Sequence, residues 1–177
     1  MQNFVYYAPT EVIFGKDAEA QTAAAVSRWN GSRVLIVYGG GSVRRSGLLQ
    51  RIQSELDAAD IAWTEIGGVQ PNPRLSLAEE GVKQALDFKA DFILAVGGGS
   101  VIDTAKGIAH GTANPDTKLW DIWTGQAPLT KSLPVGVVLT IPAAGSEMSD
   151  SAVLTNEEIG RKAGINTPFN RVKFAIM

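Results

Sequence analysis

Short apolar runs alternate along the chain with stretches in which apolar residues recur at helical spacing. The runs predict four strands, at residues 33–38, 61–66, 92–96 and 135–140. Apolar residues three and four positions apart predict helices between them, as at 48–56 and 75–86. The run at 92–96 (FILAV) is apolar on both faces, which is typical of a parallel sheet covered on both sides. The pattern therefore predicts an α/β fold with an open, mainly parallel sheet and helices on both faces.

Several segments extend this alternation. Residues 11–14 predict a strand ahead of a helix at about 17–29, and residues 173–176 predict a fifth strand beside the first four. Residues 151–155 and 161–165 flank a polar loop, which predicts a β-hairpin. The stretch 114–132 contains two prolines and two tryptophans and predicts a loop with a short helix. We therefore expect one domain over residues 1–177.

The composition excludes several classes of protein and several kinds of site. The chain has 177 residues, 45% of them apolar and 19% charged, with a net charge of −2. It contains no cysteine and one histidine, His110, which excludes a disulfide scaffold, a thiol nucleophile and a histidine-rich metal site built by this chain alone. Its scattered, slightly acidic charge argues against a nucleic-acid or membrane-surface partner. We see no apolar run of about 18 residues and no signal peptide, so we expect a cytoplasmic protein.

Small residues follow all four predicted strands. They are Gly39, Gly40 and Ser42 after the first strand, 67–73 after the second, 97–100 after the third and 141–146 after the fourth. The carboxyl ends of parallel strands meet at one edge of the sheet, and ligands bind beyond that edge in open α/β folds. These turns therefore predict a groove in which the backbone approaches a ligand closely.

The glycine-rich turn at 97–100 is the sharpest of these features. Gly97, Gly98 and Gly99 end a buried strand, and Ser100 opens a helix. Glycine lets backbone N–H groups approach an anion, and a helix N-terminus supplies free donors and a partial positive charge. A diphosphate fits such a turn, although a tight strand–helix connection without a ligand is the alternative. The spacing matches neither Gly-x-Gly-x-x-Gly nor the P-loop.

Polar residues on the following helix have competing explanations. Asp103 lies one turn into the helix and either faces the groove or forms an intrahelical ion pair with Lys106. His110 lies about two turns further on, roughly 10 Å along the helix, and is expected to be a packed or surface residue. Ser42, Ser100 and Ser146 do not lie in a Gly-x-Ser-x-Gly sequence, and with a single histidine a hydrolytic triad has little support.

Four segments together resemble a known family. They are 9–16 (PTEVIFGK), 38–42 (YGGGS), 97–106 (GGGSVIDTAK) and 140–149 (TIPAAGSEMS). The third matches the Gly-Gly-Gly-Ser-x-x-Asp-x-x-Lys sequence of the iron-containing (group III, metal-dependent) alcohol dehydrogenases. The chain resembles their N-terminal half, most closely in the butanol dehydrogenase and aldehyde reductase branch. This resemblance implies a Rossmann-like dinucleotide-binding domain of an oxidoreductase that interconverts primary alcohols and aldehydes.

The resemblance also implies roles for individual residues. Gly97, Gly98, Gly99 and Ser100 would contact the cofactor diphosphate, with Gly39, Gly40 and Ser42 forming the first nucleotide turn. Asp103 would lie near the nicotinamide or substrate end, and Thr140 and Ser149 would line the nicotinamide side. Lys162 would reach a cofactor ribose, and Asn72 would border the adenine.

Members of the family are about twice as long, and their helical C-terminal domain supplies an Asp and three His that hold iron or zinc. Such a set is missing here, because His110 is the only histidine. We therefore expect a domain of a two-domain enzyme without its metal domain, with no complete catalytic site and no activity by itself. The N-terminal aromatics Phe4, Tyr6 and Tyr7 lie ahead of the first strand, where relatives pair, so a homodimer is also expected.

The residues that follow the predicted strand at 33–38 bear on the choice between NAD and NADP. An acid after the strand at 33–38 would bind the ribose hydroxyls of NAD and repel the extra phosphate of NADP. Here Gly39, Gly40, Ser42, Arg44 and Arg45 follow, which favours NADP, with NAD as the alternative. The two arginines are otherwise the solvated start of a helix. Two further functions stay open: a non-catalytic nucleotide-binding module, and a relative of the glycerol dehydrogenases or dehydroquinate synthase.

Overall fold

The computed structural model describes residues 3–5 and 7–177. The strands are β1 (Glu11–Ile13), β2 (Arg33–Tyr38), β3 (Ala62–Ile66), β4 (Phe92–Gly97), β5 (Val135–Leu139), β6 (Ser151–Asn156), β7 (Arg161–Asn166) and β8 (Phe174–Ile176). The α-helices are α1 (Thr22–Arg28), α2 (Ser42–Arg45), α3 (Leu48–Ala58), α4 (Leu75–Phe88), α5 (Gly99–Ala113) and α6 (Leu119–Trp123). The predicted strands and the short helix within 114–132 are confirmed.

Six strands form one parallel sheet in the order β1-β8-β5-β4-β2-β3. The central strand β4 is buried along its whole length because it pairs with β2 on one side and β5 on the other. β8 lies between β5 and β1, with Phe174 beside Gly136 and Glu11. The α/β fold with a mainly parallel sheet is therefore confirmed, and the carboxyl ends of the six strands lie at one edge.

Helices cover both faces of the sheet, as the apolar pattern predicts. On one face, α4 and α5 pack against Leu35, Val37, Ile93 and Ala95. On the other face, α1 and α3 pack against Val34, Ile36, Phe92 and Leu94. Each strand residue alternates between these two cores, since successive side chains of a strand point to opposite faces. Because helices pack closely on both faces, the strand ends at the carboxyl edge of the sheet are held in fixed positions.

Two local features differ from the sequence pattern. The predicted helix at 17–29 is a 3-10 turn (Ala18–Gln21) followed by the shorter α1, after Asp17 in the left-handed region at φ 56°. The predicted hairpin is present as β6 and β7, which form a separate antiparallel pair. Its buried side chains Ala152 and Leu154 pack into the core beneath α4 and α5. The hairpin is thereby fixed beside the N-terminal half of α5.

The N-terminal aromatic residues lie on the surface. Phe4 and Tyr7 are exposed, and Tyr6 lies outside the described residues. Homodimer formation through this N-terminal segment stays a prediction. Within residues 3–5 and 7–177, none of the helices combines the length and the apolar character needed to cross a membrane.

Candidate functional site

The small-residue turns meet at the carboxyl edge, as predicted. Gly68 N–H donates to Gly39 O at 3.2 Å, and Val69 N–H donates to Tyr38 O at 3.3 Å. Thr140 N–H donates to Gly97 O at 3.1 Å. The turns after β2 and β3 are therefore joined to each other, and the turn after β5 is joined to the end of β4. Together they line one groove.

The turn after β4 presents free backbone donors to this groove. Gly98 is extended at φ −95° and ψ −168°, and α5 begins at Gly99. Val101 and Ile102 donate to Gly98 O at 3.0 and 3.1 Å, the first bonds of the helix. The N–H groups of Gly99 and Ser100 precede those bonds, so no helical carbonyl can reach them. This is the geometry in which a helix N-terminus binds a phosphate.

Close packing, and not an unusual backbone conformation, requires glycine in this turn. A Cβ on Gly97 would lie 2.6 Å from Val101 Cγ2, inside the core. A Cβ on Gly98 would lie 2.8 Å from Ile141 Cγ2, and one on Gly99 would lie 3.3 Å from Ser146 Oγ. Gly97 is therefore a packing residue, whereas Gly98 and Gly99 let the 141–146 segment lie directly against the turn.

Asp103 follows the turn and faces the hairpin. Its Oδ2 accepts the Val153 N–H at 3.2 Å, while its buried Oδ1 has no partner among the described residues. Burial raises the pKa of this carboxyl, and the charge of Lys106, the Val153 N–H and the nearby Ser146 hydroxyl oppose that shift. An unpartnered buried oxygen is uncommon and needs an explanation. A ligand hydroxyl or amide in the groove would satisfy it.

Lys106 does not form the ion pair with Asp103 that was one of the two alternatives left open by the sequence. Its side chain is fully buried, and Nζ donates to the carbonyls of Ser146, Ser149 and Ser151 at 2.8, 3.3 and 2.8 Å. Burial lowers the pKa of the ammonium group to about 8. This arrangement has a simple cause, because the 146–151 segment folds over the helix and offers three carbonyls to one three-donor group.

Further predicted residues lie on the hairpin side of the turn. Lys162 on β7 donates to Asn72 Oδ1 at 3.0 Å, and both residues are exposed. The positive charge of Lys162 also lowers the pKa of Asp103, although less than burial raises it. Ser149 Oγ bonds to the backbone of Ser151 at 3.3 Å. Asn72 and Lys162 are thus in contact, and Lys162 is near enough to Asp103 for its charge to affect that carboxyl.

Ser42 and Thr140 lie on the other side of the turn. Both line a cavity of about 560 Å³ between α2, α3 and the ends of β5 and β8. Ile141 and Met177 supply apolar walls, and Arg51 and Glu19, which also line the cavity, are paired with each other at 2.8 Å. The resemblance assigns Ser42 and Thr140 to different parts of the cofactor, whereas the structure places them around one cavity. A flat, partly apolar group of the size of a nucleobase fits this space.

A polar cluster at the end of β2 was missed by the sequence argument. Arg44 contacts both the Tyr38 hydroxyl and the Glu65 carboxylate, and Gln53 Nε2 donates to Glu65 Oε2 at 2.6 Å. Glu65 is 27 positions from Tyr38 but lies on the adjacent strand β3, where Glu65 is in register with Ile36. The β2–β3 register and the strand alternation would have placed Glu65 on the same face as Tyr38.

His110 belongs to the core and not to the groove. Its Nδ1 lies 2.9 Å from Ser132 Oγ and its Nε2 lies 2.8 Å from Asn170 Oδ1. Burial lowers the pKa of the imidazole to about 4, so the ring is neutral near pH 7. The expectation of a packed histidine is confirmed.

The side chains were also tested against the metal that the resemblance implies. In the part of the chain that the structure describes, no three His, Asp or Glu side chains are grouped so that they could hold a metal ion. A tightly held catalytic zinc usually has about three protein ligands. The described residues therefore do not fit a catalytic metal. They do fit a dinucleotide, through the free donors of the glycine turn and the unpartnered oxygen of Asp103.

Comparisons with known proteins agree with this geometry. The model of a family described as iron-containing alcohol dehydrogenase matches residues 9–177. The whole chain is 45% identical to a probable NADH-dependent butanol dehydrogenase of Bacillus subtilis, and 37% identical to an NADPH-dependent aldehyde reductase of Escherichia coli. It spans 45% of the length of each of these relatives. The crystal structure of NADH-dependent butanol dehydrogenase A from Thermotoga maritima superposes with a TM-score of 0.95 at 38% identity, over 99% of this chain and 44% of that one.

Proposed function

Because the chain belongs to the iron-containing alcohol dehydrogenase family, we propose that it is the cofactor-binding domain of an NAD(P)-dependent enzyme that interconverts primary alcohols and aldehydes. The observation that carries this proposal is the turn at 97–100, where free N–H groups at the start of α5 adjoin the unpartnered Oδ1 of Asp103. The names of the relatives support the substrate class, and their greater length supports a partner domain that supplies the metal. A cytoplasmic location and pairing through the N-terminal segment belong to the same proposal.

The cofactor would lie across the turn in a defined direction. Gly98, Gly99 and Ser100 would bind the diphosphate, because their backbone lies at the start of α5. The adenosine end would enter the cavity that Ser42 and Thr140 line, beyond Gly39 and Gly40. The nicotinamide riboside end would then lie toward Asp103, on the hairpin side.

This direction changes the role of Asn72. Since Asn72 bonds to Lys162, and the charge of Lys162 lowers the pKa of Asp103, these residues would lie at the nicotinamide riboside end and not at the adenine. Lys162 and Asn72 would bind ribose hydroxyls there. Ser149 would limit that side of the groove, since Lys106 holds its carbonyl.

When bound, the dinucleotide supplies the hydride donor or acceptor. The residues of this chain would bind its diphosphate at the glycine turn and fix the direction of its nicotinamide end. Asp103 Oδ1 would accept a hydrogen bond from the cofactor at that end and so help to hold it in place.

We propose that NADP is preferred over NAD. Gly39 and Gly40 follow β2 without an acid that would repel a 2′-phosphate, and the Ser42 hydroxyl and the Arg45 guanidinium lie next to them. Arg45 Nη1 lies 3.3 Å from the position of a Cβ on Gly41, so its charge is close to the turn. The named cofactors of the relatives include both NADH and NADPH.

Calorimetric titration of the chain with NADP and with NAD tests the proposal. We expect both to bind at one site per chain, with NADP the tighter ligand, and ADP-ribose to bind more weakly than NAD. Failure of both dinucleotides to bind at millimolar concentration would refute the assignment. A tighter affinity for NAD would refute only the cofactor preference.

A further inference from the structure

Arg44 lies on α2, just after the turn at 39–42, and is bonded to other protein groups. Its Nε donates to the Tyr38 hydroxyl at 2.8 Å, and its Nη2 contacts that hydroxyl and Glu65 Oε1. The guanidinium carbon lies 4.9 Å from the centroid of the Tyr38 ring. The arginine is therefore held against β2 and β3 by a hydroxyl, a carboxylate and an aromatic face.

Glu65 is the group that fixes this arrangement. Besides Arg44, its carboxylate accepts from Gln53 Nε2 at 2.6 Å and from the Tyr38 hydroxyl at 3.4 Å. Both carboxylate oxygens thus have protein partners, so Glu65 is not free to accept a ribose hydroxyl. Its effect on a ligand must act through Arg44 or through its charge.

The position of Arg44 and Glu65 bears on the choice between NAD and NADP. In doubly wound sheets an acid near the end of this strand selects NAD, whereas a nearby arginine accommodates the 2′-phosphate of NADP. Here an acid, Glu65, and an arginine, Arg44, both lie beside the turn at 39–42, and their opposite charges are paired. The side chain of Arg44 is 54% exposed and that of Glu65 is 25% exposed, so Arg44 would be accessible to a ligand phosphate once its bond to Glu65 is released.

We propose that Glu65 is a positioning residue that limits the preference for NADP by holding Arg44 away from the 2′-phosphate. The inference rests on the proposed function. The names of the relatives include both NADH and NADPH, so membership of the family does not by itself fix the cofactor. An exposed ion pair is weak, so its release changes the ratio of affinities by about fivefold.

The direct test is Glu65→Gln, which keeps the shape of the side chain and an oxygen that can accept from Gln53. We expect the Kd for NADP to fall about fivefold, because Arg44 becomes available to the phosphate. The Kd for NAD, which lacks that phosphate, should change by less than about twofold. Glu55→Gln on α3 is the matched control, since it removes one acid outside the cluster and should leave the ratio of affinities unchanged.

Two variants of Arg44 distinguish the positioning of Arg44 by Glu65 from a direct effect of the Glu65 charge on the phosphate. In the Glu65→Gln background, Arg44→Gln should remove the gain in NADP affinity. In the natural sequence, Arg44→Gln should change NADP affinity less than about twofold, because that arginine is already occupied. The second variant does not depend on the folding of Glu65→Gln.

The inference is overturned if Glu65→Gln leaves the ratio of affinities unchanged, if Glu55→Gln raises it equally, or if the gain persists without Arg44. A large loss of NADP binding in Arg44→Gln alone would also overturn it, because Arg44 would then already bind the phosphate. If the natural chain binds neither dinucleotide, the proposed function itself fails, which is a different result from an unchanged ratio.

Discussion

Lys106 is a charged side chain in the interior whose three donors are used by three backbone carbonyls. We predict that Lys106→Met, which keeps the unbranched shape, lowers the free energy of unfolding by about 2–4 kcal/mol, since buried carbonyls lose their donor. Urea unfolding measures this, with the exposed Lys83→Met as control. A loss no larger than that of Lys83→Met would show that the three bonds contribute nothing net. The same contacts decide against the alternative of an intrahelical ion pair between Lys106 and Asp103.

His110 makes stability depend on pH in a defined window. Its folded-state pKa of about 4 lies below its ordinary value of 6.5, so between these values the unfolded chain binds a proton that the folded chain does not. Stability therefore falls as the pH decreases from 6.5 to 4, by about 3 kcal/mol from this residue. Urea unfolding of the natural chain and of His110→Gln at several pH values measures the difference. Parallel pH dependence of the two would contradict the prediction.

Single residues differ in how far the sequence specifies their roles. The glycines at 97–99 and the buried His110 follow from local pattern and burial. The partners of Lys106, Glu65 and Asn170 do not, because each bond joins residues at least 12 positions apart. Such contacts depend on which strands are neighbours and how loops return, and neither is contained in a local window.

At the scale of elements, the hairpin is attached to α5 by side-chain bonds from Asp103 and Lys106, and to the turn after β3 by a backbone bond. Asp103 Oδ2 accepts the Val153 N–H at 3.2 Å, and Thr155 N–H donates to Pro73 O at 2.8 Å. The groove between the glycine turn and β6 depends on this attachment. A looser hairpin would widen the nicotinamide side.

We predict that Asp103→Ala raises the hydrogen-exchange rate of the Val153 amide by about tenfold, because its charged acceptor is lost. Exchange of β2 and β4 amides, read by NMR in the same sample, provides an internal reference and should not change. Equal protection of Val153 in both proteins would mean that Asp103 does not hold the hairpin.

The positions of the buried strands were predicted more accurately than helix lengths and strand pairing. The buried runs at 33–38 and 92–96 correspond closely to β2 and β4 because a strand apolar on both faces has few alternatives. The helix at 17–29 was predicted too long, since the left-handed Asp17 and a 3-10 turn precede α1. The place of β8 between β1 and β5 could not be predicted, because pairing of β1 with β8 joins the two ends of the chain.

At the scale of the whole molecule, we predict that this chain does not oxidise alcohols, with or without added iron or zinc. The described residues offer no metal-ligand cluster, and a tightly held catalytic metal needs about three protein ligands. The measurement is NADPH formation from butanol and NADP, beside a binding control that shows the cofactor site is intact. Turnover that depends on the added metal would contradict the prediction.

The sequence supported the position of the groove, since four small-residue turns follow four parallel strands. It did not show how the cofactor would be directed across the turn. The direction proposed above rests on Ser42 and Thr140 sharing one cavity and on Lys162 contacting Asn72. Both relations arise only when the sheet, the hairpin and α3 are assembled.

The central claim is that the glycine turn binds the dinucleotide diphosphate, and Gly98→Val tests it most directly. Gly98 has φ −95°, so valine adds no left-handed strain, and the exposed Ile141 has room to move from the new Cβ. Gly164→Val on β7 is the matched control, because a Cβ there meets only ordinary contacts at 3.6 Å.

The measurement is calorimetric titration of NADP into both variants and the natural chain, with thermal melts of each. We expect Gly98→Val to melt within a few degrees of the natural chain and to bind NADP at least about tenfold more weakly, since each lost bond to the diphosphate costs about 1.5–3 kcal/mol. Gly164→Val should bind like the natural chain. A Gly98→Val protein that melts normally and binds NADP with unchanged affinity would show that the turn is only structural and would contradict the account.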